Sequence, residues 1–492
     1  MAREGKLFSN TLLLGASAAT AKALSFLLLP FYTAALSPAE FGVCEILIST
    51  AVLFISLFSL YAPQATFRFL AQRARGALGV GTLLLGGGVL LFTLSIPIWG
   101  AIPVLRPYRA LLYFYVLASL SHSFVTHILR ADGKFALFAT QQLFCALASA
   151  LLQILFLRVL AWGSRGYLLG IALGDAVTVL SLLPALLPIL LQNRGISKKM
   201  GAQMLRFALP LMPAALLWWG MSAADRYILL YFHGARATGL YAAAGRFPAL
   251  ITFAAGVFLE AWHYAALQHD GESPAARFGR VYALIVPAFL AIGAAVMLFS
   301  PLLVRVFLSS SYGGAARIVG FLLFGAVCAG MANFLDSIYT LQMHTVASLV
   351  GTALAVLVHV GLGFLLIPSL GAIGAALAGA LGYLALFSVR VWHTARFLKF
   401  PRLAKRVFAS LFLLLGSAAL LSINRRFLAT VLALIAVFPI GRQLLFSASF
   451  LYGRSRALVA HILKRKNVLK KEKKYDKIKV SSAPLRDREE DI

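Results

Sequence analysis

Ionisable side chains inside the long apolar stretches of this chain are the residues best placed to do chemistry. A charged group in a bilayer costs at least about 2.5–3.5 kcal/mol, so each one needs a partner or a function. The set comprises Lys22, Glu45, Asp175, Asp225, Arg226, Arg246, Glu260, Asp336 and His359. Of these, Glu260, Arg226 and Glu45 lie near enough to a predicted helix end to reach water or pair locally.

Two cations lie deeper and favour a polar cavity within the membrane. Lys22 is in the middle of the first apolar stretch, and Arg246 is well inside the eighth. Asp175, in the sixth stretch, is equally consistent with a simple bond between helices. Asp225 and Arg226 are adjacent, so on a helix their side chains point about 100° apart. We therefore expect each of these two to find its partner on another helix.

The tenth apolar stretch carries a polar stripe. Asn333, Asp336, Ser337, Thr340 and His344 recur at spacings that place them on one helix face. A water-facing wall or proton path has this pattern, and so does a hydrogen-bonded seam between helices. Asp175, Asp225, Asp336 and Asn333 are accordingly candidates either for ion coupling or for interhelical bonding.

Several catalytic and cofactor signatures are missing from the sequence. It contains no Gly-x-x-x-x-Gly-Lys-Ser/Thr phosphate loop, no nucleophile elbow and no His/Cys cluster with metal-ligand spacing. Cys44, Cys145 and Cys328 all lie in apolar stretches and are expected to be small buried hydrophobes. We therefore predict no catalytic residues, no metal and no cofactor, and a driving force other than ATP hydrolysis by a phosphate loop.

The elements that position these residues are membrane-spanning helices. The chain has 492 residues, of which 61% are hydrophobic, and a mean hydropathy of +0.87. Its apolar stretches reach the roughly 20 residues that a helix needs to cross a bilayer, and none suits a removable signal peptide. About fourteen helices are predicted, at 8–35, 39–62, 77–100, 107–129, 136–161, 165–191, 204–231, 236–264, 280–308, 316–342, 345–367, 371–393, 405–422 and 427–449.

The charged loops orient these helices. One set of alternate loops carries Arg68, Arg73, Arg75, Arg130, Lys134, Arg194, Lys198, Lys199, Arg277, Arg280, Arg396, Lys399, Arg402, Lys405 and Arg406. The opposite loops are shorter and poorer in cations. Because cytoplasmic loops are enriched in Lys and Arg, both termini are predicted to be cytoplasmic. This bias accounts for the net charge of +29 without a nucleic-acid partner.

The C-terminal tail, residues 453–492, is polar and basic. It contains Lys464-Arg465-Lys466 and Lys470-Lys471 before an acidic end. Such a segment is typical of a cytoplasmic tail held at anionic membrane lipids.

A weak internal repeat divides the chain. Residues 38–42 (PAEFG) and 235–239 (ARATG) follow the first and seventh helices, and residues 166–170 (GYLLG) and 371–374 (GAIG) open the sixth and twelfth. Each pair is separated by about 200 residues. We predict an N-lobe at 1–200, a C-lobe at 201–400, two further helices at 401–452 and then the tail. Such repeats are typical of two-lobed transporters with a substrate site between the lobes.

The sequence resembles the multidrug/oligosaccharidyl-lipid/polysaccharide (MOP) exporter superfamily, and within it the bacterial lipid-linked oligosaccharide flippases. The resemblance spans roughly residues 8–450. It is carried by residues 21–33 (AKALSFLLLPFYT) with 36–42 (LSPAEFG), 129–134 (LRADGK), 207–213 (FALPLMP) with 225–227 (DRY) and 239–241 (GLY), and 371–376 (GAIGAA).

The resemblance implies an all-α membrane protein whose two six-helix lobes form a V around a central cavity, followed by two C-terminal helices. It also implies translocation of an undecaprenyl-diphosphate-linked oligosaccharide across the bacterial cytoplasmic membrane, for polysaccharide biosynthesis and alongside other polysaccharide-assembly proteins. The positions that match cationic cavity residues of related flippases are Lys22 and Arg246, and more weakly Arg68 and Arg226. The chain lacks the dense arginine set of the peptidoglycan branch, which favours another repeat unit as substrate.

Two alternatives stay open at this point. A cation-coupled multidrug antiporter of the same superfamily would need a carboxylate-lined pocket, which Asp175, Asp225 and Asp336 could supply. A membrane-embedded glycan polymerase or transferase would act on the same lipids, but the predicted outer loops are short for such an enzyme. The antiporter is weaker than the flippase because Lys22 would repel an organic cation.

Overall fold

The computed structural model describes residues 20, 23–192, 195–266, 274–341, 344–396, 401–438 and 441. Lys22, most of the predicted first helix before it and the basic tail lie outside these residues. The described part is almost entirely helical and contains no strand. Its helices are α1 (Leu29–Ala35), α2 (Pro38–Phe58), α3 (Ala62–Ala71), α4 (Ala77–Leu94), α5 (Ile96–Trp99), α6 (Arg109–Ala131), α7 (Phe135–Ile154), α8 (Gly163–Gln192), α9 (Lys198–Ala208), α10 (Leu211–Ala244), α11 (Pro248–Ala266), α12 (Pro274–Phe307), α13 (Ala316–Leu341), α14 (Thr345–Thr394), α15 (Pro401–Ser422) and α16 (Arg426–Val437).

Ten helical stretches of the described residues are long and apolar enough to cross a membrane. Many large apolar side chains on them face outward, among them Leu83, Leu151, Leu180 and Leu357. A surface of this kind is stable against lipid tails rather than water. The predicted class, an all-α integral membrane protein, is therefore confirmed, and the helices are consistent with the predicted total of fourteen.

Two of the long helices are hairpins. α10 turns at Gly234 and α14 at Gly371, where φ is +76° and +58° respectively, a region that favours glycine. Residues on either side of each turn then face one another, as Asp225 and Tyr241 do in α10. His233, next to the first turn, pairs through Nε2 with the carbonyl oxygen of Ile367 near the second, at 2.8 Å. Each hairpin thus consists of two antiparallel limbs. The predicted helices that end at 231 and 367, and those that begin at 236 and 371, meet at these two turns.

The start of α2 shows how a local motif sets a helix boundary. The Ser37 Oγ accepts a hydrogen bond from the Glu40 backbone N–H, and the Glu40 carboxylate accepts one from the Ser37 backbone N–H at 2.9 Å. Pro38 occupies the first helical position, where no N–H is needed. Residues 36–42 therefore fix both the end of the first helix and the direction of α2.

Some predicted boundaries are wrong. The predicted helix at 204–231 is interrupted at Leu209–Pro210, because proline cannot donate the backbone hydrogen bond that would continue α9 into α10. The predicted helix at 236–264 breaks between Ala244 and Pro248. The predicted helix at 39–62 ends at Phe58, and a separate helix, α3, follows.

The two halves of the chain meet mainly where α2 packs along α10. Gly42 and Gly239 allow the backbones to touch, since a Cβ atom on either would overlap a carbonyl oxygen of the other helix. Trp219 Nε1 donates to the Ser49 carbonyl at 2.9 Å, and the hydroxyls of Thr50 and Tyr227 are 2.8 Å apart.

The loop after α12 adds a second contact between the halves. Ser309 Oγ donates to the Thr33 carbonyl oxygen at 2.7 Å, and the Tyr312 hydroxyl donates to that of Leu36 at 2.9 Å. The two halves are therefore also held together at this end of the helices.

Candidate functional site

A cavity of about 330 Å³ with a partly polar lining lies beside α2. Nearly all of its walls come from the N-terminal half, and a single residue, Arg246, comes from the C-terminal half. Its polar lining residues are Ser25, Tyr32, Glu45, Cys145, Ser149, Gln153, Tyr167, Asp175 and Arg246. The volume is at the lower end of the roughly 300–1,000 Å³ range of ligand pockets.

Arg246 reaches the cavity from the break between α10 and α11. The sequence analysis placed this residue inside a continuous helix. In the structure, Gly245 ends the second limb of α10 and Pro248 begins α11, so Arg246 lies in a short non-helical segment. Interrupted helices at membrane depth are tolerated where they face a cavity or are buried in protein.

The guanidinium of Arg246 forms an ion pair with the carboxylate of Glu45 on α2. It also lies over the Phe41 ring, with its central carbon 5.7 Å from the ring centroid. The Arg246 side chain keeps 34% of its surface exposed, whereas Glu45 keeps 8%. The cation is therefore the more accessible member of this pair, which joins the two halves of the chain.

Two tyrosines and a glutamine form the wall next to Arg246. The Tyr32 hydroxyl donates to Gln153 Oε1 at 2.5 Å, and Gln153 Nε2 donates to the Tyr167 carbonyl at 3.3 Å. The two tyrosine rings meet edge to face with centroids 5.0 Å apart. This wall offers hydrogen-bonding groups on a rigid aromatic support.

Asp175 lies at another side of the cavity and joins three helices. Its carboxylate accepts a hydrogen bond from Ser119 Oγ, pairs with His122 Nδ1 at 2.8 Å, and accepts from Cys145 Sγ at 3.4 Å. Ser119 and His122 are on α6, and Cys145 is on α7. The bridging geometry expected of Asp175 is present, together with partners that the sequence analysis did not name.

Asp225 lies in the first limb of the α10 hairpin and is buried. It accepts a hydrogen bond from the Tyr241 hydroxyl, and its Oδ2 lies 3.8 Å from His359 Nε2 on α14. Arg226 bonds within its own helix instead, where Nη1 donates to the Ser222 carbonyl at 2.5 Å. Its charge also interacts with that of Glu45. The expected partner on another helix is thus present for Asp225, while the hydrogen bond described for Arg226 is local.

Asp336 forms the second ion pair of the described membrane helices. Its Oδ1 lies 2.9 Å from Arg390 Nη2, and it accepts from Ser348 Oγ at 2.5 Å. Along the same stripe of α13, Ser337 Oγ accepts from Trp262 Nε1 at 2.9 Å. Both polar groups are engaged by neighbouring helices, which is the geometry of an interhelical seam.

Arg68 and Asn333 do not line the cavity. Arg68 is exposed near the end of α3, and its guanidinium lies 4.5 Å from the centroid of the Phe207 ring on α9. Asn333 is half-buried on α13, one turn before Asp336. Lys22 lies outside the described residues, as do the side chains of Glu260 and Thr340.

Sequence reasoning missed Arg390 and the partners of Asp175. Arg390 lies four residues before the end of α14 and was not among the candidates, yet it is almost fully buried. His122 follows Ser119 in a polar portion of α6, a signal available in the sequence. The three cysteines were all expected to be buried. This holds for Cys44 and Cys328, but Cys145 is half-buried and its thiol contacts Asp175.

Comparison with known proteins gives structural matches only. No family model matches the chain, and no curated protein matches it significantly. The chain resembles lipid II flippase MurJ in an inward closed conformation with a TM-score of 0.64 and 14% identity, over 91% of this chain and 100% of that one. It also resembles an inward-facing multidrug resistance MATE family transporter of the MOP superfamily. That match has a TM-score of 0.61 and 17% identity, and it covers 79% of this chain and 97% of that one.

A further MATE structure, in complex with MaL6, gives a TM-score of 0.56 at 17% identity, over 79% of this chain and 95% of that one. At such identities the likeness establishes the fold, and the fold predicted from residues 21–42, 129–134, 207–241 and 371–376 is confirmed. The protein is a multi-pass membrane protein with the transporter fold that MurJ shares with the MATE family transporters of the MOP superfamily.

Proposed function

We propose that the protein is a flippase that moves an undecaprenyl-diphosphate-linked oligosaccharide across the bacterial cytoplasmic membrane. The observation that carries this proposal is the accessibility of charge in the cavity. The Arg246 side chain is 34% exposed, against 8% for Glu45 and 13% for Asp175. The ionised group that a ligand meets first is therefore a guanidinium.

A guanidinium suits a diphosphate for two reasons. Its planar set of donors matches two phosphate oxygens at once, which a single ammonium group does not. In a shielded cavity the attraction between the two charges is also stronger than in bulk water. The Tyr32 hydroxyl and the Gln153 amide lie on the same wall, where the Tyr32 oxygen offers an acceptor and the second amide hydrogen of Gln153 a donor for the first sugar.

Glu45 has a defined part in this proposal. In the absence of substrate it neutralises Arg246, which lowers the cost of holding a cation at this depth. An arriving diphosphate competes with Glu45 for the guanidinium. Because the pair joins α2 to the segment before α11, the exchange changes a contact between the two halves and so links binding to their movement.

The proposed movement is that of two lobes, 1–200 and 201–400, followed by two helices at 401–452. The contacts of Gly42 with Gly239 and of Tyr312 with Leu36 hold one end of the lobes together. Alternating access requires those contacts to open. The cavity of about 330 Å³ has room for a diphosphate and an adjoining sugar, and a longer glycan needs a wider opening. The prenyl tail stays in lipid.

The remaining parts of the proposal concern location. Both termini are placed in the cytoplasm by the distribution of Lys and Arg among the loops, and the basic tail 453–492 is placed at anionic lipids. The MurJ match, which covers 91% of this chain against 79% for the MATE structures, supports a lipid-linked substrate. Lys22 precedes Leu24, a cavity-lining residue, by two positions and is proposed as a second cation for the diphosphate.

The test is the leaflet location of lipid-linked glycan in cells that lack the protein. Spheroplasts are treated with a membrane-impermeant reagent that labels sugars, and the protected fraction is measured. We expect the glycan to be protected without the protein and labelled when the wild-type gene is returned. Arg246→Gln should leave it protected although the protein inserts normally. Arg158→Gln, at an exposed arginine four residues after the end of α7 that does not line the cavity, is the matched control.

The second candidate function is a cation-coupled multidrug antiporter. It is favoured by one observation, the presence of two carboxylates, Glu45 and Asp175, on the same cavity. Normal labelling of the glycan without the protein would contradict the flippase. If Asp175→Asn then abolished efflux of an organic cation while glycan delivery stayed normal, the antiporter would be the correct function.

A further inference from the structure

Three membrane helices bring a histidine, a cysteine and an aspartate together in the N-terminal half. His122 on α6, Cys145 on α7 and Asp175 on α8 each offer a potential ligand atom, and these atoms lie within 4.8 Å of one another. Two of the separations are 2.8 Å, from His122 Nδ1 to Asp175 Oδ1, and 3.4 Å, from Cys145 Sγ to the same oxygen. The three residues are far apart in the sequence, so no short sequence motif indicates that they form a group.

The donor set fits a particular class of metal ion. Imidazole nitrogen, thiolate sulfur and carboxylate oxygen are the three ligand types that Zn²⁺ takes, at bond lengths of about 2.0–2.3 Å. Tetrahedral geometry then places ligand atoms about 3.4 Å apart. The distance from Cys145 Sγ to Asp175 Oδ1 is 3.4 Å, whereas His122 Nδ1 and Asp175 Oδ1, at 2.8 Å, would have to separate slightly to admit an ion. A thiolate and an imidazole together disfavour Mg²⁺ and Ca²⁺, which prefer oxygen ligands.

Hydrogen bonding within the group does not satisfy all of its polar atoms. The second ring nitrogen of His122, Nε2, is buried and has no hydrogen-bond partner among the described residues. Thr178, one turn after Asp175 on α8, is fully buried and its hydroxyl lies at the Cys145 thiol. Buried polar groups are rarely left unpaired without a functional reason.

The group is accessible to an ion. Cys145, Asp175 and Ser149 line the cavity that also contains Arg246. The His122 and Asp175 side chains retain 15% and 13% of their surface exposed. With three protein ligands, the fourth position of a tetrahedral ion would face the cavity, as in zinc sites that keep an open position for water.

The negative charges of the proposed ligands would also match the charge of a divalent cation. An ionised Asp175 and a Cys145 thiolate together neutralise a divalent cation, which removes the cost of an uncompensated charge at this depth. Binding displaces the proton of the thiol, because a coordinating cysteine is deprotonated. The hydroxyl of Ser119, which donates to the other oxygen of Asp175, holds that carboxylate in orientation.

We propose that His122, Cys145 and Asp175 form a binding site for a zinc-like divalent transition-metal ion. This site goes beyond the proposed flippase function and does not depend on it, since none of its three ligands is a proposed diphosphate contact.

The experiment uses full-length protein purified in detergent with a tag that contains no histidine. Co²⁺, a spectroscopic substitute for Zn²⁺, is titrated into the protein, and the near-ultraviolet absorption from thiolate-to-cobalt charge transfer is recorded. The proposal predicts a band that saturates at one ion per chain and is removed by Zn²⁺. Cys145→Ser should abolish the band, while Cys328→Ser, a buried cysteine of the C-terminal half, should retain it.

Two further variants keep the test decisive if Cys145→Ser unfolds. His122→Ala and Asp175→Asn should each weaken Co²⁺ binding by at least about tenfold, while gel filtration and thermal unfolding report on their folding. No charge-transfer band in folded wild-type protein under excess Co²⁺ would overturn the proposal. A band that persists in folded Cys145→Ser would overturn it equally, because another cysteine would then be the ligand.

Discussion

Two arginine–carboxylate pairs lie within the described membrane helices, and they are built in opposite ways. In the Arg246–Glu45 pair the arginine is 34% exposed and the carboxylate 8%, and the pair joins the two halves of the chain. In the Arg390–Asp336 pair the arginine is 1% exposed and the carboxylate 35%, and both residues belong to the C-terminal half. The cation faces open space in the first pair, and the anion does so in the second.

The remaining contacts of the two arginines follow this difference. Arg390 also donates to the Ala332 carbonyl at 2.7 Å and to Thr352 Oγ1 at 3.3 Å, so its guanidinium is committed to α13 and α14. Arg246 has Glu45 and the face of Phe41 as described partners and keeps donors for a ligand. Burial and the number of partners, rather than residue type, thus separate a structural arginine from a candidate binding arginine.

The largest effect is expected for Arg390→Ala. The Arg390 side chain is 1% exposed, so its removal leaves a closed cavity and takes away the donor to the Ala332 carbonyl and Thr352, which costs about 3–5 kcal/mol. We expect a strongly lowered midpoint of thermal unfolding in detergent and reduced insertion. The double variant Arg390→Met/Asp336→Asn removes both charges and should recover part of the loss. A wild-type unfolding midpoint for Arg390→Ala would mean that the two pairs do not differ as described.

A smaller loss of stability is expected for Arg246→Ala. Glu45 loses its partner, but the Arg246 side chain is 34% exposed and fills less closed space than Arg390, so the cost is about 1–3 kcal/mol. Thermal unfolding in detergent should place this variant between wild type and Arg390→Ala, while its transport activity is lost. If Arg246→Ala were as unstable as Arg390→Ala, the cavity pair would be mainly structural and the case for a diphosphate contact would fail.

The smallest effect is expected for Thr352→Val, which removes one accessory hydrogen bond of Arg390 at nearly constant volume. A single hydrogen bond of this kind contributes about 1 kcal/mol. Thr140→Val is the matched control, because the Thr140 hydroxyl bonds only carbonyls of its own helix. Equal unfolding midpoints for the two variants would show that Thr352 adds nothing to the buried pair.

Local signals in the sequence determined the class of the protein and most of its helices. Long apolar stretches permit only spanning helices, since backbone polar groups in lipid must bond within the segment. The motif around Ser37 and Glu40 predicts the start of α2, and glycine at 234 and 371 suits the turns of the two hairpins. The unusual charges, including Arg246, Asp175 and Asp336, were also visible, because an ionisable residue stands out against apolar neighbours.

Only the tertiary structure decided which of these charges meet. Glu45 and Arg246 are 201 residues apart in the sequence, and only the packing of α2 against the C-terminal half brings them together. Arg390 was missed because its place near a helix end suggests an exposed residue, and burial is a property of neighbouring helices. His122, Cys145 and Asp175 likewise come together only when α6, α7 and α8 pack, because helical periodicity fixes the face of a residue but not the helix that covers it.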